Sequence, residues 1–249
     1  MYNPSLRKID ELVLGYLKEK RLRAEDVGVK PVVVLTENRK FHQLLVEGLN
    51  AQRSPDWLYD AEAQLYFANL PGIDVSIVMA LPPAHAFLTE IEVLRHLGAK
   101  MFIGVFEGIG IGTGIGKIFL VGSAACLDGA SYRYTGGRKE INASYRIHKF
   151  LRAILEMEEI KAGEAKAGSV DTPYLILEND VKYLRTNNVN VISFYIPSLY
   201  AFSFYSGCEA CAMLITKEDL YLKPKISTEG LYETIASLLS RHLHEVAFI

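Results

Sequence analysis

Residues 97–131 read LGAKMFIGVFEGIGIGTGIGKIFLVGSAACLDGAS, and this stretch carries the strongest indications of the fold. Met101–Val105 is a short apolar run typical of a strand buried on both faces, and Lys117–Ala125 is a second one. From Gly104 to Gly116, six of the thirteen positions are glycine. This predicts a loop between the two strands whose backbone can approach a ligand closely. Clustered amides in such a loop can bind an anion, and a turn without any ligand is the alternative.

The glycine spacing of Gly108–Gly112 is also found in dinucleotide-binding loops. Such a loop joins the first strand of its domain to a helix, whereas the sequence here continues into another strand. No Lys-Ser or Lys-Thr pair follows the glycines, as a P-loop would require. The sequence around the loop therefore gives only weak support to a dinucleotide-binding site.

Strands and helices alternate on both sides of this stretch. The apolar run Pro31–Leu35 is typical of a buried strand, and a helical pattern over 38–50 follows it. The same patterns predict further strands over 75–79, 189–192 and 211–216, and further helices over 84–97, 142–160, 197–206 and 227–247. This alternation, without an internal repeat or a long linker, predicts an α/β fold with a mixed sheet.

Composition and charge exclude several classes of protein. The 249 residues carry a formal net charge of −2, without the basic excess of a general nucleic-acid binder. No apolar run reaches the roughly 18 residues that a membrane span requires, and the N-terminus lacks a signal-peptide pattern. The single C-x-x-C motif, Cys208–Cys211, has no second pair or nearby histidines to complete a zinc site. We therefore predict a cytoplasmic protein with no metal site, no membrane contact and no nucleic-acid partner.

Four segments in chain order carry a family resemblance. They are Leu97–Val105, the Asp-Gly-Ala-Ser run within Leu127–Ser131, the segment Ser169–Tyr174, and 193–219. Taken together they resemble the nucleoside phosphorylase family, most closely its uridine phosphorylase branch. In that family the corresponding segments are a strand leading to the phosphate and ribose loop, the Asp-Gly-Ala-Ser run, a segment beside the base, and a Met-Glu helix with the strand after it.

The resemblance implies a fold and a reaction. The fold is a three-layer α/β/α sandwich around a mixed, partly barrel-like sheet, with residues 1–249 as a single domain and 1–30 as an N-terminal helical extension. The reaction cleaves the N-glycosidic bond of a nucleoside, uridine or a related one, with phosphate as a possible co-substrate and no cofactor. Family members assemble as homodimers or as hexamers built from dimers, so we expect a homo-oligomer.

The phosphate-binding positions of the family are only partly retained in this chain. Arg39 is the candidate for the arginine of the early loop, where arginine side chains bind phosphate as charge-assisted forks. Gly104 matches the position of a second phosphate arginine, and Phe106 and Glu107 match a Gly-Thr pair, with Gly108 following. A carboxylate at such a site disfavours phosphate.

The resemblance also assigns residues to the ribose and to the base. Phe194 and Tyr195 match the methionine and the ribose-binding glutamate of the Met-Glu motif. Asp128 belongs to the Asp-Gly-Ala-Ser run, and Tyr174 lies in the segment beside the base. Glu218, or Asp219 one residue on, matches the acid that protonates the leaving base.

Three hypotheses are therefore open. In the first, phosphate displaces the base and Glu218 is the general acid, although Glu218 is equally well explained as a surface carboxylate at a strand end. In the second, Glu107 orients a water molecule and the protein is a hydrolase. In the third, the protein retains the fold but binds a small ligand or has a structural role without catalysis.

Overall fold

One sheet of ten strands runs through the computed structural model, which describes residues 8–82, 84–171, 175–222 and 227–249. Its strands follow the order β10-β6-β8-β9-β5-β1-β4-β3-β2, with β7 paired to β6. Because β5 also pairs with β10, the five strands β10, β6, β8, β9 and β5 close into a barrel, and β1, β4, β3 and β2 extend from it. The expected sandwich around a mixed, partly barrel-like sheet is confirmed.

In chain order the strands are β1 (Val32–Thr36), β2 (Gln52–Arg53), β3 (Leu65–Leu70), β4 (Ile73–Met79), β5 (Met101–Gly110), β6 (Ile118–Ala125), β7 (Glu140–Asn142), β8 (Ala162–Gly168), β9 (Val191–Ile192) and β10 (Glu209–Asp219). The helices are α1 (Lys8–Lys20), α2 (Arg39–Gly48), α3 (Ala84–His96), α4 (Gly129–Tyr134), α5 (Tyr145–Met157), α6 (Glu178–Thr186), α7 (Ile196–Ser206) and α8 (Glu229–His242), with 3-10 turns at Ala24–Val27 and Leu243–Phe248. No helix among these is long and apolar enough to cross a membrane.

Two hydrophobic cores lie on opposite faces of the sheet. Successive side chains of a strand point to opposite faces, so neighbours in β5 enter different cores. Phe102 and Phe106 pack with α3 and α7, whereas Ile103 and Val105 pack with α2, α5 and α8. This alternation determines which candidate residues can meet.

The glycine-rich stretch differs from the loop predicted over Gly104–Gly116. Its first half, up to Gly110, belongs to β5, and only 111–117 connects β5 to β6. A Cβ atom at Gly104 would collide with the Phe106 ring, and one at Gly108 would lie 2.6 Å from the Ile192 carbonyl oxygen. These two glycines therefore permit close packing within the barrel.

Candidate active site

Five polar side chains meet where β1 and β5 run side by side. They are Glu37, Asn38, Glu107, Lys217 and Tyr232, and we refer to them as the Glu107 cluster. Strands β1 and β5 are parallel and Leu35 pairs with Gly104, so the chain leaving β1 passes directly beside Glu107. The topology thus brings residues about seventy positions apart into contact.

Glu107 is held by three donors. Asn38 Nδ2 donates to its Oε1 atom at 2.7 Å, the Tyr232 hydroxyl donates to the same oxygen, and Lys217 Nζ lies 3.0 Å from Oε2. Burial alone would raise the pKa of Glu107, but the hydrogen bonds from Tyr232, Lys217 and Asn38 outweigh it and lower the pKa. Glu107 is therefore a carboxylate at neutral pH.

Glu37 has the opposite environment. Its Oε1 atom accepts a hydrogen bond from the backbone N–H of Glu107 at 2.6 Å. Its Oε2 atom is buried and has no hydrogen-bond partner among the described residues. Burial, reinforced by the charge of Glu107, raises the pKa of Glu37 to about 8. Glu37 is therefore largely a neutral carboxylic acid at neutral pH.

Local structure places the other three members of the cluster. Asn38 is the N-cap of α2, and its Oδ1 atom accepts the Phe41 backbone N–H at 2.8 Å while Nδ2 reaches Glu107. Lys217 lies where β10 shifts register against β5, between Thr216 and Glu218. Tyr232 lies in the first turn of α8 and is buried.

The cluster combines a neutral carboxylic acid, Glu37, with an ionised one, Glu107, whose backbone N–H donates to Glu37. Environments that separate the pKa values of two carboxyl groups are how glycosidic-bond enzymes obtain an acid and a carboxylate from the same residue type. The arrangement holds a proton on Glu37 and leaves the ionised Glu107 able to accept or orient a polar hydrogen. Within the described residues, no group of His, Cys, Asp or Glu side chains is arranged to hold a metal ion.

Phe106 and Tyr195 lie on the other face of the sheet, away from Glu107. Their rings stack with centroids 5.1 Å apart and an interplanar angle of 10°, and Phe87 packs edge-on against both. All three side chains are buried, and the partly buried Phe194 packs against the same core. The structure therefore does not gather Phe106, Tyr195 and Glu107 around one pocket.

Glu218 and Asp219, the two positions matched to the base-protonating acid, have different surroundings. Glu218 is exposed on the outside of β10. Asp219 is buried and accepts the backbone N–H groups of Gly114, Tyr221 and Leu222 at 2.9, 2.9 and 3.2 Å. Burial opposes ionisation, but the backbone donors prevail and lower the pKa of Asp219. The backbone amides of the glycine loop thus donate hydrogen bonds to the carboxylate of Asp219, which takes the place of a bound anion.

Of the remaining candidates, Asp128 supports the backbone locally. Asp128 is buried and is the N-cap of α4, where its Oδ1 accepts the Ala130 and Ser131 N–H groups and its Oδ2 accepts the Ser131 hydroxyl at 2.6 Å. Arg39 is exposed at the start of α2. Tyr174 lies outside the described residues.

Four members of the cluster, Glu37, Asn38, Lys217 and Tyr232, were not among the site residues predicted from the sequence. One signal was available, because Glu37 and Asn38 follow directly on a strand that is buried at every position. Polar residues there lie at the carboxyl ends of parallel strands, where ligand sites of α/β proteins form. Nothing local in the sequence identifies Tyr232, which reaches the cluster from α8.

Comparisons with known proteins identify the fold. No family model matches the chain, and no curated protein matches it. Among solved structures, it is similar to the crystal structure of Campylobacter jejuni 5′-methylthioadenosine/S-adenosyl homocysteine nucleosidase, with a TM-score of 0.72 and 11% sequence identity. The match covers 87% of this chain and 98% of that chain. The protein therefore has the nucleoside phosphorylase-like fold.

Proposed function

We propose that this protein cleaves the N-glycosidic bond of a nucleoside at the Glu107 cluster, with water as the attacking molecule. The observation that carries the proposal is the contact between neutral Glu37 and ionised Glu107 at the junction of β1 and β5. The fold supports the same class of substrate, because the solved neighbour is named a nucleosidase.

Each carboxyl group has a distinct task in this proposal. As the bond from C1′ to the base nitrogen breaks, its electron pair moves to the base, and the Glu37 proton neutralises the charge that develops there. The Glu107 carboxylate orients the water molecule, accepts its proton as the new C1′–O bond forms, and stabilises the positive charge on the sugar. The alternative is that Glu218, which is exposed and follows Lys217 in the sequence, is the general acid. A Glu218→Gln variant tests this alternative.

The charges of the cluster favour water over phosphate. The ionised Glu107 would repel a phosphate dianion, and the cationic Lys217 is already paired with Glu107. Arg39 is the candidate for phosphate binding if the reaction is phosphorolytic. Uridine and related nucleosides remain the first candidates for the substrate.

The test is release of free base from a panel of nucleosides by the purified chain, measured by chromatography with and without phosphate. The panel contains uridine, adenosine, inosine and 5′-methylthioadenosine. We expect release without phosphate and a loss of about 100-fold or more for Glu107→Gln, the scale of a lost acid–base group. Release only with phosphate would contradict the use of water as the attacking molecule. No release from any nucleoside would contradict the proposal that the protein is an enzyme.

A second candidate function, binding without catalysis, is favoured by one observation. The stacked Phe106 and Tyr195 rings fill the region where the family resemblance places phosphate and ribose contacts. A ligand that binds the folded state raises its stability, so melting temperatures with each nucleoside and with phosphate test this candidate. A thermal shift without base release would favour it over the enzyme.

A further inference from the structure

A second surface with ligand-binding chemistry lies beyond the end of β10. An open cleft of about 640 Å³ lies between helix α6 and residues 220–221, and its volume is in the range of small-molecule sites. Ile176, Val181 and Leu220 contribute the apolar part of its lining. Charged and aromatic side chains complete the lining, and the Glu107 cluster contributes none of it.

The central feature of the cleft is a cation–aromatic stack. The Arg185 guanidinium carbon lies 4.7 Å from the centroid of the Tyr221 ring. Stacking engages the face of a guanidinium group and leaves the N–H donors at its edge free to bind an anion as a fork. Gly112 backs the stack, because a Cβ atom there would lie 3.9 Å from both side chains. Tyr221 thus orients Arg185 in the cleft.

The charges around this stack favour an anion. Lys182 precedes Arg185 by three positions, so both lie on the same face of α6. Within the described part of the chain, neither of them forms a salt bridge. Among the described lining residues Glu178 is the one acid, and it lies at the opposite end of the helix from Arg185, where it can accept hydrogen bonds from hydroxyl groups.

The ring of Tyr221 and the aliphatic side chains offer a surface for a planar group. The Tyr221 side chain is 54% exposed. Its ring therefore contributes less to folding than a buried ring would and is available to a ligand. Leu220, which also lines the cleft, is exposed as well. Exposed apolar patches of this kind mark binding surfaces.

We propose that this cleft binds an organic anion that joins a phosphate group to a planar ring, as a nucleoside monophosphate does. Arg185 and Lys182 bind the phosphate, the ring packs on Tyr221 and Leu220, and Glu178 accepts hydrogen bonds from sugar hydroxyls. The proposal is independent of the proposed cleavage reaction, since it involves different residues.

The test is a calorimetric titration of the full chain with adenosine 5′-monophosphate, with adenosine alone and inorganic phosphate alone as separate arms. We expect the monophosphate to bind at least about tenfold more tightly than either part, because charge-assisted hydrogen bonds and ring packing both contribute. Arg185→Ala and Tyr221→Leu should each weaken binding by about tenfold or more. Arg133→Ala, which removes an exposed arginine of α4, is the matched control and should leave the affinity unchanged.

A Glu107→Gln variant separates this proposal from the cleavage reaction. We expect it to lose base release and to bind the monophosphate as the unmodified chain does. If Glu107→Gln abolishes binding while Arg185→Ala does not, the ligand occupies the Glu107 cluster and the proposal is overturned. Equal affinities for the monophosphate and for inorganic phosphate would also overturn it, because the ring would then contribute nothing.

Discussion

The backbone N–H of Glu107 donates a hydrogen bond to Oε1 of Glu37 at 2.6 Å, so the two glutamates are in contact while they differ in protonation. Glu107 receives Tyr232, Lys217 and Asn38 as side-chain donors, whereas the second oxygen of Glu37 receives none within the described residues. This difference in hydrogen bonding separates the pKa values of the two glutamates, and the pH dependence of the reaction can test it.

Base release should follow a bell-shaped pH profile in which the alkaline limb belongs to Glu37. Burial raises the pKa of Glu37 to about 8, so the neutral acid needed to protonate the leaving base is lost as pH rises through that value. The acidic limb reflects protonation of Glu107, and its position lies below the usual pKa of a glutamate. The measurement is the initial rate of base release from pH 3 to 10 under constant ionic strength.

A Glu37→Gln variant should lower the rate and remove the alkaline limb. The glutamine amide keeps the size of the side chain but has no proton to release near pH 8. Glu47→Gln, at an exposed position of α2, provides the control and should retain both limbs. Persistence of the alkaline limb in Glu37→Gln would assign that limb to another group.

Much of the fold could be predicted from the sequence because its strongest signals are local. The apolar runs at β1, β4, β5 and β6 and the amphipathic pattern of α5 indicate buried elements in any α/β protein. Strand β8 was missed, since its sequence AGEAKAG has few residues that favour strands and is exposed over its first half. It forms a strand because it pairs with β6 and β9 to close the barrel.

The candidate site was harder to predict because it depends on which face each side chain occupies. Phe106 and Glu107 are adjacent in an extended strand, so they point to opposite faces and cannot line the same side of one pocket. The family resemblance grouped them by position along the chain. Tyr232 reaches Glu107 across 125 residues of sequence, a contact that only the packing of α8 on the sheet creates.

Proton release from a second buried acid, Glu90 of α3, should lower stability between about pH 5 and pH 8. Its side chain is fully buried, Oε2 accepts the Leu81 N–H at 3.0 Å, and burial raises the pKa of Glu90 to about 8. The folded state therefore retains a proton that the unfolded chain releases near its normal glutamate pKa, and unfolding is favoured as pH rises between the two values. Glu37 contributes in the same direction.

A Glu90→Gln variant should show a weaker decline over this range, measured as the free energy of unfolding by urea at several pH values. The amide is neutral throughout, so it removes the proton linkage of this position. The slope should fall further in the Glu37→Gln/Glu90→Gln double variant. An unchanged slope in both variants would show that other groups govern the dependence.

The aromatic stack should contribute to stability and not to the chemistry of the Glu107 cluster. Phe106 is almost fully buried between Tyr195 and Phe87, so Phe106→Ala should destabilise the protein by about 3–5 kcal/mol, the usual cost of removing a buried aromatic ring. The milder Phe106→Leu keeps more of the core and should cost less. Unfolding by urea measures the stability of both variants.

Base release by folded Phe106→Leu should remain within a few-fold of the unmodified chain, because the ring lies on the face opposite Glu107. A loss comparable to that of Glu107→Gln would mean that the aromatic face takes part in catalysis. The Phe106→Leu rate therefore distinguishes the two faces of the sheet as sites of the reaction.

Removing the charge of Asp219 and removing that of its neighbour Glu218 should have different effects on the stability of the protein. Asp219 accepts three backbone N–H groups from the glycine loop and from the residues after β10. Asp219→Asn removes the charge from these hydrogen bonds, and we expect a loss of about 1–3 kcal/mol of stability. Glu218→Gln, at the adjacent exposed position, should stay within about 0.5 kcal/mol of the unmodified chain. Urea unfolding at pH 7 measures both, and a smaller effect at Asp219 than at Glu218 would show that the loop amides do not depend on this carboxylate.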